Sequence, residues 1–296
     1  MKRIGFIGLG HMGNPMVQRL VEAGFSVKVY DISKQAVAAV TALGATATED
    51  VTEVVTDVDV IFTMLRSGDQ VKSICFGKQG LFANAAPEVL YIDCSSIELD
   101  TTKALHYEAL TFGVHMLDAP VSGGVGAAKA GTLTFMVGGN EKNLQRALPV
   151  LEKMGKTIVH AGPSGHGQAA KICNNLILGI SMLAVCEGFT LAEKLQLDLK
   201  KFFEISANSS SQCWSITHYC PVPGLMENVP ANNDYKAGFT AGMMLKDLRL
   251  GQHAAENVNA VVPLGSMAME MYSLFVNQGN KDTDFSGIIN MLRQHS

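Results

Sequence analysis

The chain has 296 residues, 47% of them hydrophobic and 17% charged, with 29 glycines and a formal net charge of -4. That length suits two domains, and that composition excludes a disordered or fibrous chain. The slight acidity gives no reason to expect nucleic acid or an anionic membrane as partner.

Six cysteines, at 75, 94, 173, 186, 213 and 220, form neither a C-x-x-C pair nor a Cys/His spacing of zinc type. No metal site is expected, and scattered free thiols suit a reducing compartment. "MKR" runs straight into "IGFIGLG" without the pattern of a signal peptide. The most apolar run, 176–186, is about half of what a bilayer-spanning helix requires. A soluble, cytoplasmic protein is the expectation.

In chain order, "RIGFIGLG" reads as a strand ending in glycines, and "HMGNPMVQRLVEAG" as a helix with Met12, Met16 and Leu20 on one face. Gly8, Gly10 and Gly13 give G-x-G-x-x-G between them. Such glycines serve a tight turn, close approach to a pyrophosphate and helix–strand packing, with phosphates at the helix N-terminus. His11 and Met12, inside that turn, join the cofactor-binding set. The next strand, "SVKVYD", ends in Asp31, 18 residues past Gly13. A carboxylate there accepts hydrogen bonds from the adenosine ribose and repels a 2′-phosphate, which favours NAD over NADP. The alternative is an ordinary turn residue.

Further strands are predicted at 59–65, 89–93, 114–120, 133–139 and 157–162, the earlier ones separated by helical patterns as parallel crossovers require. Ligands of such a sheet gather beyond the carboxyl ends of its strands. The turns at 65–67, 94–96 and 122–124 fall on that edge and are candidates to touch cofactor or substrate. Ser122-Gly123-Gly124 offers a hydroxyl and bare backbone whose N–H groups can hold a carboxylate; glycines that serve only turns are the alternative.

"GHGQAAKICNNL" (165–176) reads as the start of a helix, and from Gln168 to about Leu195 the pattern is helical, roughly 42 Å at ~1.5 Å per residue. Lys171 and Asn175, four positions apart, share a face, flanked by Asn174, and Gly179 continues that face without a side chain. A buried lysine is costly unless it is paired or used, so Lys171 is either a snorkelling surface group or a chemical one. His166 is read as a solvated residue ahead of the helix. Helical segments follow at "KKFFEIS", "MMLKDLRLGQHAAENV" and "PLGSMAMEMYSLFVNQG", with a proline-rich loop at 221–230. Met267, Met269 and Met271 suit a core or a subunit interface, and oligomerisation is expected.

Four motifs, "GFIGLGHMGNPM", "DAPVSGGVGAAKAGTLTFMVGG", "GHGQAAKICNNL" and "LKDLRL", together resemble the β-hydroxyacid dehydrogenases, in particular 3-hydroxyisobutyrate dehydrogenases. The resemblance covers residues 3 to about 290 in order, and "QCWSITHYCPVPG" (212–224) is similar to the 3-hydroxyisobutyrate branch. It implies an α/β Rossmann-type N-terminal domain (1–164) and an all-α C-terminal domain (165–296), joined by a long interdomain helix with the active site in the cleft. It also implies that Ser122, Gly123 and Gly124 hold the substrate carboxylate and that Lys171 is the acid/base. Asn175 then lies in the substrate site, Lys246 and Asp247 reach in from the C-terminal domain, and Leu65, Ser96 and Lys246 line the cofactor. Arg66, where relatives often carry proline, and Arg249, where glycine is common, depart from the pattern.

A lysine serves as a base only when burial or a neighbouring cation such as Lys246 lowers its pKa. Asp247 either sets the charge or position of Lys171 or Lys246, or is a helix-surface carboxylate. Trp214, and with it Tyr219 and Phe239, either packs in a core or domain interface or walls the substrate pocket. The expected activity is NAD-dependent oxidation of 3-hydroxyisobutyrate to its semialdehyde, as in valine catabolism, by a homo-oligomer (dimer or tetramer). The alternatives are an L-serine or related 3-hydroxy acid dehydrogenase, or a tartronate semialdehyde reductase. A 6-phosphogluconate-type enzyme needs a longer chain and a basic phosphate cluster. A non-catalytic nucleotide-binding sensor has no use for Lys171, Asn175, Ser122 and Lys246 together.

Overall fold

The computed structural model describes residues 2–294. Contacts divide the chain into two compact units, 1–171 and 172–296. The division falls seven residues beyond the sequence-based boundary at 164/165, because the first turn of the connecting helix is hydrogen-bonded to the first unit.

The first unit is built on a nine-stranded sheet. Its strands are β1 (Arg3–Ile7), β2 (Ser26–Tyr30), β3 (Thr46–Ala47), β4 (Val60–Thr63), β5 (Leu90–Asp93), β6 (His115–Asp118), β7 (Val121–Ser122), β8 (Leu133–Gly139) and β9 (Gly155–Gly162). The order is β3-β2-β1-β4-β5-β6-β8-β7, with β9 paired to β8. The first six are parallel throughout, the arrangement of a doubly wound dinucleotide fold. β8 runs antiparallel to β6 and β7.

Between the strands lie α1 (Gly13–Glu22), α2 (Lys34–Thr41), α3 (Val51–Val55), α4 (Gly68–Cys75), α5 (Leu81–Asn84), α6 (Leu99–Thr111), α7 (Gly124–Ala130) and α8 (Glu141–Leu151). They cover both faces of the sheet, so every residue of β4 and β5 is buried, as a parallel sheet requires. Alternate residues enter different cores. Phe6, Phe62 and Ile92 pack on one side, and Ile7, Ile61 and Tyr91 on the other. Phe6 and Phe62 stack with ring centroids 5.7 Å apart.

The connecting helix, α9 (His166–Lys194), is 29 residues long. His166 is its first residue rather than part of the preceding loop, and it is exposed. By length and composition α9 is apolar enough to cross a membrane, unlike the shorter apolar run read from sequence. Half of its most apolar window is buried within the protein, which is how a core helix passes the same test.

The second unit contains the rest of α9 with α10 (Leu199–Ala207), α11 (Trp214–Thr217), α12 (Ala241–Asn257), α13 (Pro263–Phe275) and α14 (Ile288–Gln294). Their core gathers Met182, Phe189, Met244, Leu248, Tyr272 and Phe285. Gly179 does not leave an open face for a ligand. A side chain there would put its first carbon 2.9 Å from Leu248 and 3.2 Å from the Met244 sulfur, so the glycine is what lets α12 press against α9. Gly251 of α12 receives Leu176 in the same way, at 3.4 Å. This close packing sets the register that brings Asp247 to Asn175.

Candidate active site

At the carboxyl end of β1 the three glycines serve different ends. Gly8 has φ +96°, and a side chain there would lie 2.4 Å from the Met64 carbonyl oxygen. A side chain on Gly13 would come 1.9 Å from the Gly8 oxygen, so α1 can begin against β1 only with glycine. Gly10 has nothing within 4 Å. It borders open space at the end of α1, whose N-terminus has no side-chain cap. Unbonded N–H groups beside a bare backbone form a place for an anion, and a dinucleotide's pyrophosphate fits it. His11 is exposed and Met12 half-buried in this turn.

Asp31 follows β2. Its Oδ2 accepts from Leu9 N at 2.6 Å and its Oδ1 from Ser33 N at 2.7 Å. The carboxylate therefore ties the glycine turn to the start of α2. Each oxygen keeps a second lone pair for a ribose hydroxyl.

The turns after β4 and β5 are joined to each other. Leu65 N donates to Ser95 Oγ at 2.9 Å, and Ser95 N donates to Asp93 Oδ1 at 3.1 Å. Ser96, the other predicted cofactor-lining residue, is half-buried between Ser95 and Ile97. Asp93 itself is fully buried, with Oδ2 unpartnered. Burial pushes its carboxyl up to about 6 against the lowering bonds from Ser95 and Thr63, and the charge of Asp118 adds to the rise.

Ser122 ends β7 and is half-buried, and Gly123 and Gly124 both have positive φ, +123° and +67°. Gly123 is needed, since a side chain there would meet the Ala127 methyl at 2.5 Å, whereas Gly124 has free space around it. Two successive glycines of this kind turn the chain sharply into α7 and leave its backbone accessible.

Lys171 is half-buried on α9, and Asn175, one turn on, is 98% buried. Asn175 Nδ2 donates to Asp247 Oδ2 at 2.5 Å, and its Oδ1 accepts from Asn174 at 3.0 Å. The other Asp247 oxygen lies 3.3 Å from Lys246 Nζ. Asp247 is only 4% exposed, so it is not a helix-surface carboxylate. It orients Asn175 and neutralises Lys246. Trp214 does not enter a core either. It is 45% exposed and stacked on Tyr219, with centroids 4.8 Å apart. Tyr219 is anchored by donating to Asp284 Oδ2 at 2.9 Å, and Phe285 lies beneath it at 5.3 Å. Arg66 and Arg249 are both exposed.

Residues 3–162 match the family described as the NAD binding domain of 6-phosphogluconate dehydrogenase. Residues 165–292 match that described as the NAD-binding of NADP-dependent 3-hydroxyisobutyrate dehydrogenase. The chain belongs to the β-hydroxyacid dehydrogenase family. An NAD-dependent L-serine dehydrogenase of Pseudomonas aeruginosa is 44% identical over 97% of this chain and 96% of its own length. A 3-hydroxyisobutyrate dehydrogenase of the same organism is 42% identical, with 99% of each covered. The solved 3-hydroxyisobutyrate dehydrogenase of Mycobacterium tuberculosis with L-serine superposes at TM-score 0.93, with 43% identity and 99% coverage of both chains.

This dehydrogenase also uses buried polar residues that the motif reading passed over. Asp118, at the end of β6, accepts from Gly165 N at 2.8 Å, Gln168 N at 3.0 Å and His106 Nε2 at 2.9 Å. Asp284 accepts from the Tyr219 hydroxyl, the backbone N–H groups of Gly238 and Phe239, and both donors of Ser286. The available signal was an aspartate ending an apolar strand in "HMLDAP", and another inside "TDFSG". Apart from His106 and Ser286, their partners are 45 to 65 residues away, at separations that carry no periodic pattern.

Proposed function

We propose that this dehydrogenase oxidises 3-hydroxyisobutyrate to its semialdehyde with NAD, and that Lys171 is the acid/base. The carrying observation is the set built around Lys171: Asn175 one turn on, fixed by Asp247, which also pairs with Lys246. Gly8, Gly10, His11, Met12, Gly13, Asp31, Leu65 and Ser96 would hold the cofactor, and Asp31 favours NAD over NADP. When bound, NAD supplies the acceptor for the hydride leaving the carbinol carbon. Lys171 in its neutral form takes the hydroxyl proton. In the reverse direction the ammonium returns it to the developing alkoxide. Ser122, Gly123 and Gly124 receive the substrate carboxylate. Asn175 fixes the oxygen or the ammonium, and the Trp214–Tyr219 stack provides an apolar wall for the substituent at the second carbon.

The second reading, L-serine as substrate, is favoured by the similarity to the L-serine dehydrogenase and to the structure with L-serine. NADH formation with a panel of 3-hydroxy acids and serine, with NAD and NADP, tests both. A higher kcat/KM for 3-hydroxyisobutyrate is expected; a preference for L-serine overturns the substrate, and no turnover with any member overturns the reaction class. Lys171→Ala should still bind NADH while losing roughly 10²–10⁴-fold in kcat. Near-normal turnover in that variant would sink the mechanism.

A homo-oligomer is part of the same proposal. Ile177 and Leu191 on α9, Leu195 just after it, and Leu264, Met267 and Leu274 on α13 are large apolar residues more than half exposed, the kind of surface that subunits cover. Light scattering that gives the monomer mass across the working concentration range removes that part. The six free cysteines support a cytoplasmic setting.

A further inference from the structure

Gln168 has no part in the machinery just described, yet no side chain in the first turn of α9 is more tightly engaged. It is fully buried. Its Nε2 donates to the Ser95 carbonyl oxygen at 2.6 Å, and its Oε1 accepts from Ile97 N at 3.3 Å. The two ends of one amide thus grip the residues on either side of Ser96. Ser95 in turn presents its hydroxyl to Leu65 N at 2.9 Å. One side chain therefore ties together the two turns assigned to the cofactor, and it stands three residues before Lys171.

The helix end of this link is as firmly held as the loop end. Gln168 N donates to Asp118 Oδ2, and Gly165 N to Asp118 Oδ1. At Gly167 a side chain would lie 2.4 Å from the carbonyl oxygens of both Asp118 and Met136. The first turn of α9 thus lies directly on β6 and β8, with no room for rotation about its axis. A surface glutamine at this position would suffice for helix formation. A buried one needs partners for both amide ends, and here both belong to the cofactor turn.

We infer that Gln168 is a positioning residue that holds the turns of Leu65 and Ser96 in fixed register with Lys171. The inference rests on the proposed acid/base role of Lys171. Oxidation of a secondary or primary alcohol breaks two bonds at one centre, the C–H toward the cofactor and the O–H toward the base. Both acceptors must be placed at once, and a displacement of about 1 Å at either can cost on the order of 100-fold. A single rigid amide between the two turns and the helix meets that demand. Two separate supports would let each drift independently.

The test is Gln168→Met, which keeps the length and cannot bond, with Ser95→Ala as second variant, which cuts the tie to Leu65 and the hydroxyl's bond to Asp93 while leaving the Ser95 carbonyl for Gln168. Both are compared with Lys171→Ala. The readouts are kcat, KM and the primary deuterium isotope effect on kcat with substrate labelled at the carbinol carbon. Gln168→Met should lower kcat about 10- to 100-fold, leave KM for the hydroxy acid within about 3-fold, and raise the isotope effect as hydride transfer becomes limiting. Ser95→Ala should show the same signature with a smaller loss, and the double variant should fall short of the product of the two. A purely structural role would reduce the active fraction by cofactor titration while leaving the isotope effect unchanged; that result overturns the inference. If Gln168→Met does not fold, an unchanged kcat and isotope effect in Ser95→Ala overturns it instead. Should Lys171→Ala keep its activity, the acid/base reading falls first, and the inference with it.

Discussion

Two buried carboxylates, one in each unit, anchor α9 on either side of Lys171 in the chain, and they do so differently. Asp118 takes the backbone N–H groups of Gly165 and Gln168, with His106 as third donor. Asp247 takes the side-chain amide of Asn175 and the Lys246 ammonium. Backbone donors come with the helix whatever its side chains are, so Asp118 decides where the first turn lies. Side-chain donors are removable, so Asp247 decides how the Asn175 amide and the Lys246 ammonium are aimed. Removing the first carboxylate should show in stability, and removing the second in rate.

The largest expected effect is on the second. Asp247→Ala should lower kcat by about 10²–10³-fold, because Asn175 loses its orientation and Lys246 its counter-ion. The melting temperature should fall by less than in Asp118→Ala, since only the Asn175 amide is left buried without its acceptor, whereas Lys246 is 37% exposed and water can replace its counter-ion. A large drop in melting temperature with an unchanged kcat per folded molecule would reverse the contrast.

Asp118→Ala should do the opposite. Two buried backbone N–H groups and His106 lose their acceptor, at roughly 2–4 kcal/mol of stability. Chemical denaturation followed by fluorescence and by cofactor binding checks it, with the midpoint expected to fall.

A third carboxylate, Asp31, sharpens the comparison, because it has backbone partners and an assigned ligand role. Asp31→Asn keeps an acceptor for only one of Leu9 N and Ser33 N, which bond different carboxylate oxygens, and it removes the repulsion of a 2′-phosphate. The ratio of kcat/KM with NAD to that with NADP should fall about tenfold. An unchanged ratio would confine Asp31 to the turn.

The smallest effect concerns Asp93, which neighbours Asp118 and has one unpartnered oxygen. Burial raises its carboxyl from 3.8 to about 6, so the native state binds this proton more tightly than the unfolded chain does. The group's contribution to stability is complete below about pH 4 and is lost as pH rises through about 6. Asp93→Asn has no proton to lose. Its melting temperature relative to the parent should therefore increase between pH 4 and pH 7, while a difference that is flat with pH excludes Asp93 as the titrating group.

The parts legible in advance are those where local chemistry leaves few choices. The glycines at 8, 10 and 13, the strand just before Asp31 and the helix carrying Lys171 and Asn175 all announce themselves through spacing. β3 and β7 were missed because two residues each carry no period. Gly179 was misread because its role depends on Leu248 and Met244, which come 65 or more residues later. Trp214, ambiguous as a sequence position, is taken out of the core by its exposure and its stack on Tyr219.

By itself the sequence determined the doubly wound α/β unit, the long helix and the family, because periodicity, glycine placement and motif order are local properties of a chain. Tertiary structure alone decided which carboxylate faces which donor. Asp118 could have been any strand-end aspartate, and Gln168 any polar residue of a first turn. Only when β5, β6 and α9 come together do burial and the need to satisfy every buried polar atom leave each of them one set of partners.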